Sequence, residues 1–150
     1  MKQYIGTKII QAEPAYRLDK KTVQPADWPI PAGSQADEGY AVRYPDGYMS
    51  WSPKAVFEEA YRPTDNLNFG LAIEAVKKGK KISRAGWNGK GQYVQLATCI
   101  SYTDPAGAVV NAEHKAIGNQ ALAFVGTSGV QLGWLASQAD MLADDWTIVE

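Results

Sequence analysis

The stretch RAGWNGKGQY, residues 84–93, joins two segments with strand patterns and carries three glycines, a lysine and a tryptophan. Asn88-Gly89 is typical of a tight turn, because both residues readily adopt positive φ. The stretch is not a P-loop, since Gly91 stands where that motif needs Ser or Thr after the lysine, and no helix pattern follows. The order of its glycines also excludes a dinucleotide fingerprint. We predict a tight turn between two antiparallel strands.

A turn by itself does not explain Trp87. A tryptophan at this position is either part of the core or a flat surface on which a base stacks, worth roughly 1–3 kcal/mol per base. The surrounding cations form either a solvated face or, beside an aromatic ring and glycine amides, a surface for a phosphate-bearing small ligand. These cations, with no acid among them, are Lys77, Lys78, Lys80, Lys81, Arg84 and Lys90.

The downstream part of the chain contains helix and strand patterns. Asn68 can cap a helix over residues 69–78, and Gly79 can end it. A short helical turn can begin at Ser137, with Asp140 where a negative charge favours a helix start. Strands are expected within 80–87, 91–100 and 145–150, with a hairpin within 121–137. The fold class predicted for this domain is α+β, with a small, mainly antiparallel sheet and one principal helix.

The upstream part predicts a smaller β-rich module. Residues 4–12 have a strand pattern and residues 19–39 the composition of a loop. Residues 39–51 alternate as a β-hairpin that turns at Pro45-Asp46-Gly47. Ser52 is then a candidate N-cap for a helix over residues 53–62. We therefore divide the chain into a module at 1–62, a linker at 63–67 and a domain at 68–150.

Composition limits the possible partners and location. The chain has 150 residues, a formal net charge of −1 and 21% charged residues, which does not favour binding to nucleic acid or to an anionic membrane. Neither a signal-peptide pattern nor a long apolar stretch is present, so we expect a soluble protein. The single cysteine, Cys99, cannot form an intrachain disulfide and lies in an apolar run, where a free cysteine is usually buried.

Residues suited to catalysis are few. His114 is the one histidine, which excludes zinc sites built on two or three histidines. Asp140, Asp144 and Asp145 could serve as acid/base carboxylates or magnesium ligands, although helix capping and solvent exposure explain them equally well. The pattern favours binding over catalysis, and we predict no catalytic residue, metal or cofactor.

The last two tryptophans have different expected roles. Trp146 alternates with Ile148 in the final strand, so we expect it in the core. Trp134 precedes the helical turn and is a candidate for a second stacking surface.

Two segments together resemble a known family. LNFGLAIEAVKKGKKISRAGWNGKGQYVQL, residues 67–96, and GWLASQADMLADDWTIVE, residues 133–150, are similar to the second Thoeris anti-defence family of small phage proteins. The resemblance covers the helix, the glycine-rich turn and the Trp-x-x-Ser-Gln-x-Asp ending in the same order. Residues 101–120 match the family poorly, and the first 66 residues extend beyond its usual start.

The resemblance implies a function. Members sequester glyco-cyclic ADP-ribose, the signal made by TIR-domain proteins, without cleaving it, in the cytoplasm of the infected host. They are homotetramers, and some also bind cyclic dinucleotides. Trp87 would contact the adenine or ribose, Asn88 polar edges, and Arg84 or Lys90 the diphosphate. Residues that would complete the pocket, from the same or a neighbouring protomer, are Trp134, Ser137 and Gln138. An enzyme acting on an ADP-ribose-like nucleotide and a structural or protein-binding phage module remain as alternatives.

Overall fold

The computed structural model describes residues 1–113 and 120–150, and the chain forms two compact units, Met1–Arg62 and Pro63–Glu150. Both are built on antiparallel strands with few helices, which confirms the predicted α+β fold class. Within the described ranges, every helix is too short or too polar to cross a lipid bilayer.

The first unit is a four-stranded antiparallel sheet with one helix. The strand order is β2-β1-β3-β4. Its elements are β1 (Gln11–Leu18), β2 (Thr22–Pro25), β3 (Ala36–Arg43), β4 (Met49–Pro53) and α1 (Lys54–Ala60). The predicted hairpin is β3–β4, whose turn has a 2.9 Å bond from the Tyr44 amide to the Tyr48 carbonyl and places Gly47 at φ +87°.

Three predictions for this unit were wrong. The first strand begins at Gln11 and not near residue 4, because its partner β3 ends at Arg43, which is paired with Gln11. The predicted loop contains β2, because Asp19 and Lys20, at φ 49° and 60°, fold the chain back without a glycine.

The third correction concerns the start of α1. Ser52 is the predicted N-cap but lies in β4, paired with Tyr40. Pro53 occupies the cap position, and no side chain caps the helix there.

The second unit packs one helix on a five-stranded antiparallel sheet of order β10-β9-β6-β5-β11. A separate two-stranded sheet is formed by β7 and β8. The elements are α2 (Phe69–Lys77), β5 (Lys81–Arg84), β6 (Tyr93–Ala97), β7 (Cys99–Thr103), β8 (Val109–Glu113), β9 (Ala121–Gly126), β10 (Gly129–Leu132), α3 (Gln138–Met141) and β11 (Trp146–Val149).

Helix α2 has the predicted ends and covers the core. The Asn68 side chain accepts a hydrogen bond from the Leu71 amide at 2.9 Å, and Gly79 follows the helix at φ +83°. Its buried face packs against the sheet, and Trp146, as predicted, is fully buried. The buried cluster consists of Leu67, Ala72, Ala75, Val76, Ile82, Val94 and Trp146.

The prediction that Cys99 is buried was wrong. Its side chain is exposed, because Cys99 begins β7, a strand that pairs with β8 in a sheet of two strands. A strand pair of this size buries little on its own. His114, the one histidine of the sequence, lies outside the described residues.

Candidate ligand-binding site

The loop between β5 and β6, residues 85–92, is anchored to the chain just before β11. The Asp145 carbonyl accepts from the Ala85 amide at 3.2 Å, and its carboxylate accepts from the Gly86 amide at 3.0 Å. The predicted positive φ at Asn88-Gly89 was wrong, because Gly91, at φ +72°, makes the turn and neither of those two residues adopts positive φ. The eight-residue loop has room to form a wall of a cavity, which a two-residue turn does not.

Gly89 lies close to the side chain of Gln92 within this loop. A Cβ atom built on Gly89 would collide with the side chain of Gln92. The missing side chain therefore lets Gln92 fold back over the loop, where both residues face the same cavity.

Four aromatic rings meet beside the loop. Trp87 contacts Trp146 and Phe124 edge-on, with ring centroids 5.4 and 5.3 Å apart. Trp134 lies 6.1 Å from Trp87 and stacks near Phe124 at 6.3 Å and 21°. Edge-to-face and offset ring pairs of this kind contribute more stability than the burial of their surface area alone. Because Trp146 is fully buried, it connects the partly exposed rings to the core.

A cavity of about 250 Å³ opens between the loop and these rings. Its walls combine aromatic faces with amide and carboxylate groups, the combination expected for a small, planar, polar ligand. The lining residues are Trp87, Asn88, Gly89, Gln92, Phe124, Trp134 and Asp140.

Asp140 is the polar centre of the site. Its Oδ1 accepts from the Arg84 guanidinium at 2.9 Å and from the Trp87 indole at 3.4 Å. Its Oδ2 accepts from the Ser137 amide at 3.1 Å, which completes a capping box at the start of α3. Its main-chain carbonyl accepts from the Trp146 indole at 2.9 Å. One residue thus fixes two of the four rings and the turn that follows Trp134.

Arg84 links the two carboxylates of this region. Its Nε donates to Asp145 at 2.8 Å and its Nη1 to Asp140 at 2.9 Å, with the Arg84 side chain 19% exposed. Hydrogen bonds from Arg84, opposed by burial, lower the pKa of Asp145. Burial works to raise the pKa of Asp140, but hydrogen bonds from Arg84, Ser137 and Trp87 outweigh it and leave that pKa lowered. Both carboxylates are therefore held as anions.

The predicted site residues occupy different positions around the cavity. Trp87, Asn88 and Trp134 line it directly. Arg84 and Ser137 do not line it, but both bind Asp140. The remaining two do not line the cavity and are exposed, Lys90 on the loop and Gln138 at the start of α3.

Four of the lining residues were not predicted as site residues: Gly89, Gln92, Phe124 and Asp140. Gln92 lies within the quoted loop but was not assigned a role, and Phe124 was seen only as part of a hairpin. Phe124 reaches the cavity because it pairs with Val94 in the sheet, and this pairing joins residues far apart in the sequence. Asp140 was predicted only as a negative charge that favours the start of the helical turn, and it does lie in the first turn of α3, but its reach to Arg84 and Trp87 was not predicted.

The described residues contain no group of three or more His, Cys, Asp or Glu side chains arranged to hold a metal ion. Asp140 and Asp145 share Arg84, while Asp144 is exposed. Asp140 and Asp145 are thus arranged around a cation that the protein itself supplies, the Arg84 guanidinium.

The fold and the cavity define a small α+β domain with an aromatic pocket beside a glycine-rich loop. A family model described as Tad2-like, the Thoeris anti-defense 2-like domain, matches residues 67–149. Thoeris anti-defense 2 of Bacillus phage SP01 is 34% identical over 88 residues, covering 55% of this chain and 94% of that protein.

The chain therefore belongs to the Thoeris anti-defense 2-like family, whose name denotes phage proteins that act against Thoeris defence. This confirms the family resemblance predicted from the sequence. The matched region includes all seven lining residues of the cavity, and the first 66 residues precede it.

Proposed function

We propose that this chain binds and sequesters a cyclic nucleotide immune signal, glyco-cyclic ADP-ribose made by TIR proteins, without cleaving it. It would act in the cytoplasm of the infected host as a phage anti-defence protein. The observation that carries the proposal is the aromatic cavity formed by Trp87, Phe124 and Trp134, which lies inside the family-matched region.

The chemistry of the cavity suits the planar base of such a nucleotide. Aromatic rings supply a surface for a planar base, and stacking on an aromatic side chain contributes roughly 1–3 kcal/mol per base. Asn88 and Gln92 bring amide donors and acceptors to the same cavity, where they can bind polar edges. Trp87 is held in place by its edge contacts and its bond to Asp140, so little ordering of this side chain is needed on binding.

We assign the diphosphate to the rim of the cavity. Lys90 is exposed on the loop and can approach a phosphate as a mobile point charge. Arg84 already donates to two aspartates, so in this proposal it contributes mainly by holding the wall that carries Asp140.

The size of the cavity favours completion by a second protomer. About 250 Å³ is below the roughly 300–1,000 Å³ of common small-ligand pockets. We propose a homo-oligomer, a tetramer by family resemblance, in which exposed groups such as Ser137 and Gln138 of a neighbouring copy can complete the enclosure. Cyclic dinucleotides are the second ligand class of this proposal.

Sequestration without cleavage agrees with the protonation state of Asp140 and Asp145. A general acid must carry a proton near neutral pH, whereas the pKa values of Asp140 and Asp145 are lowered. Both carboxylates are also occupied by Arg84 and by amide donors. These contacts support a structural role for the two aspartates over an acid/base role.

The proposal is tested by titrating the full chain with glyco-cyclic ADP-ribose in a calorimeter and then recovering the ligand. The complex is heat-denatured, and the released nucleotide is compared with an untreated standard by chromatography. Binding with release of unchanged ligand is the expected result. An altered product would identify an enzyme and contradict the proposal. The absence of binding to this signal and to cyclic dinucleotides would favour a protein-binding role instead.

A further inference from the structure

The sequence contains one Asn-Gly pair, Asn88-Gly89, and it lies in the loop between β5 and β6. The side-chain amide of an asparagine can be attacked by the main-chain nitrogen of the following residue, which closes a succinimide ring. A glycine in the following position favours this attack, because it has no Cβ atom to block the approach and its backbone is conformationally free. The pair is therefore chemically labile unless the surrounding structure restrains it.

The structure leaves Asn88-Gly89 unrestrained. Both residues lie outside the helices and strands, and the Asn88 side chain is exposed. Among the described residues, the Asn88 side chain and the Gly89 amide have no hydrogen-bond partner. The loop is anchored before this point, where the Ala85 and Gly86 amides donate to Asp145. An unbonded amide in an exposed, irregular segment can reach the reactive geometry without breaking local structure.

Two other asparagines of the same unit are restrained. The amide that follows Asn66 belongs to Leu67 and donates to the Trp146 carbonyl at 2.8 Å, in a bridge to β11. The Asn68 side chain accepts from the Leu71 amide at 2.9 Å as the cap of α2. In each case one of the two groups that would react is already bound, and the following residue has a bulky side chain. These two residues provide comparisons within the same chain.

From these contacts we infer that Asn88 is a site of spontaneous, non-enzymatic deamidation, which adds a negative charge to the loop. The Gly89 nitrogen loses its proton to water or hydroxide and forms a bond to the side-chain carbonyl carbon of Asn88. The side-chain nitrogen then leaves as ammonia. Water opens the ring at either carbonyl, which gives aspartate or, with the main chain lengthened by a methylene, isoaspartate. The change consumes water and releases ammonia, and it needs no oxidant or reductant.

The new carboxylate stands in the wall of the cavity, which Asn88 lines together with Asp140. Asp140 is already held as an anion, so the modified wall carries a second negative charge and repels an anionic ligand. This consequence rests on the proposed function, because it concerns binding of the nucleotide signal. The modification itself depends only on the loop.

Peptide mass spectrometry of the full chain, stored at mildly alkaline pH, tests the inference. We expect Asn88 to show the mass gain of an amide converted to an acid, in both aspartyl and isoaspartyl peptides, while Asn66 and Asn68 stay intact. Asn88→Gln, whose longer side chain closes the ring far less readily, is the matched variant and should stay unmodified at that position. An intact Asn88, or conversion of Asn66 or Asn68 at the same rate, would overturn the inference.

Asn88→Asp reproduces the aspartyl product, and its titration with glyco-cyclic ADP-ribose measures the consequence for the cavity. Affinity should fall by roughly fivefold or more relative to the wild type, and Asn88→Gln, which adds no charge, should lose less. Equal binding of the wild type and Asn88→Asp would overturn this consequence. If Asn88 converts as expected and none of the three proteins binds the signal, the proposed function is wrong and the modification site stands.

Discussion

Each of the two units has its own aromatic cluster, and the two clusters differ in how deeply their rings are buried. In the first unit, rings stack along the junction of α1 and the β3–β4 hairpin, with Tyr40–Phe57 centroids at 4.1 Å and Phe57–Tyr61 centroids at 5.0 Å. No residue of α1 is buried. In the second unit, the fully buried Trp146 lies at the base of the cluster, and a cavity opens against the other rings.

The difference shows that aromatic clusters of similar size can rest on very different amounts of buried core. The buried apolar residues of the first unit are Ala15, Leu18 and Val42, so its tyrosines and Phe57 mainly cover a small sheet. Trp87 and Trp134 instead pack against a substantial core, and the bond to Asp140 orients Trp87. Rigid support beneath a partly exposed ring is what makes it a surface for a ligand.

The largest effect is expected for Trp146→Ala. Removing a fully buried tryptophan should lower the free energy of unfolding of the second unit by about 3–5 kcal/mol and disorder the cavity. Urea unfolding followed by circular dichroism measures this loss. Phe57→Ala, at the half-exposed ring of the first unit, is the comparison and should cost clearly less. Equal losses would mean that the two clusters contribute alike to stability.

Arg84→Gln should destabilise the second unit by about 1.5–3 kcal/mol at neutral pH, because two charged hydrogen bonds are lost. Lys54→Gln, which removes an exposed pair with Glu38, should cost clearly less because solvent screens that pair. A larger loss of stability for Lys54→Gln would mean that the exposed ion pair of the first unit contributes more than the Arg84 network of the second.

The same ion-pair network predicts a pH dependence. The folded-state pKa values of Asp140 and Asp145 lie below the reference value of 3.8, so the unfolded chain takes up protons first as the pH falls. Their stabilisation is therefore full above about pH 5 and is lost as the pH falls through the folded-state values. Urea midpoints between neutral and acidic pH measure it. In Arg84→Gln this acid-linked loss should be smaller, and an unchanged acid profile would contradict the role of the network.

Trp87→Ala should weaken ligand binding by about 1–3 kcal/mol, because the stacking surface is removed while Trp146 still fills the core. Calorimetric titration gives the change in affinity, and a thermal melt confirms that the fold survives. Tyr48→Ala, at an exposed ring in the β3–β4 turn of the first unit, should bind as the wild type does. If Tyr48→Ala lost binding and Trp87→Ala did not, the result would place the site in the first unit.

The smallest effect is expected for Lys90→Gln. An exposed cation at the rim should contribute less than about 1 kcal/mol, and the contribution should shrink as salt is added. Titrations at low and high salt measure this dependence. Lys8→Gln, which removes the cation over Tyr44 in the first unit, is the matched control and should leave affinity unchanged. A salt-independent defect in Lys90→Gln would argue against a simple phosphate contact.

Features determined by neighbouring residues were predictable from the sequence. The cap of α2 at Asn68, its end at Gly79 and the capping box of Ser137 and Asp140 all depend on contacts within a few residues. The burial of Trp146 followed from strand alternation. These elements correctly gave the fold class.

Features determined by distant contacts were not predictable. Phe124 reaches the cavity through pairing of β9 with β6, and Asp140 reaches Arg84 across the unit. The exposure of Cys99 depends on β7 pairing outside the main sheet. Gly91 makes the turn expected at Asn88-Gly89 because the loop is fixed at Asp145, a contact that no local pattern shows.

Hydrogen exchange of the full chain, measured by mass spectrometry with and without glyco-cyclic ADP-ribose, tests most directly that the second cluster is the ligand site. Amide protection reports local ordering in each unit separately. We predict that saturating ligand slows exchange in peptides covering residues 84–93 and 134–141 and leaves residues 40–61 unchanged. Protection confined to residues 40–61 would contradict the account and place the ligand on the first cluster.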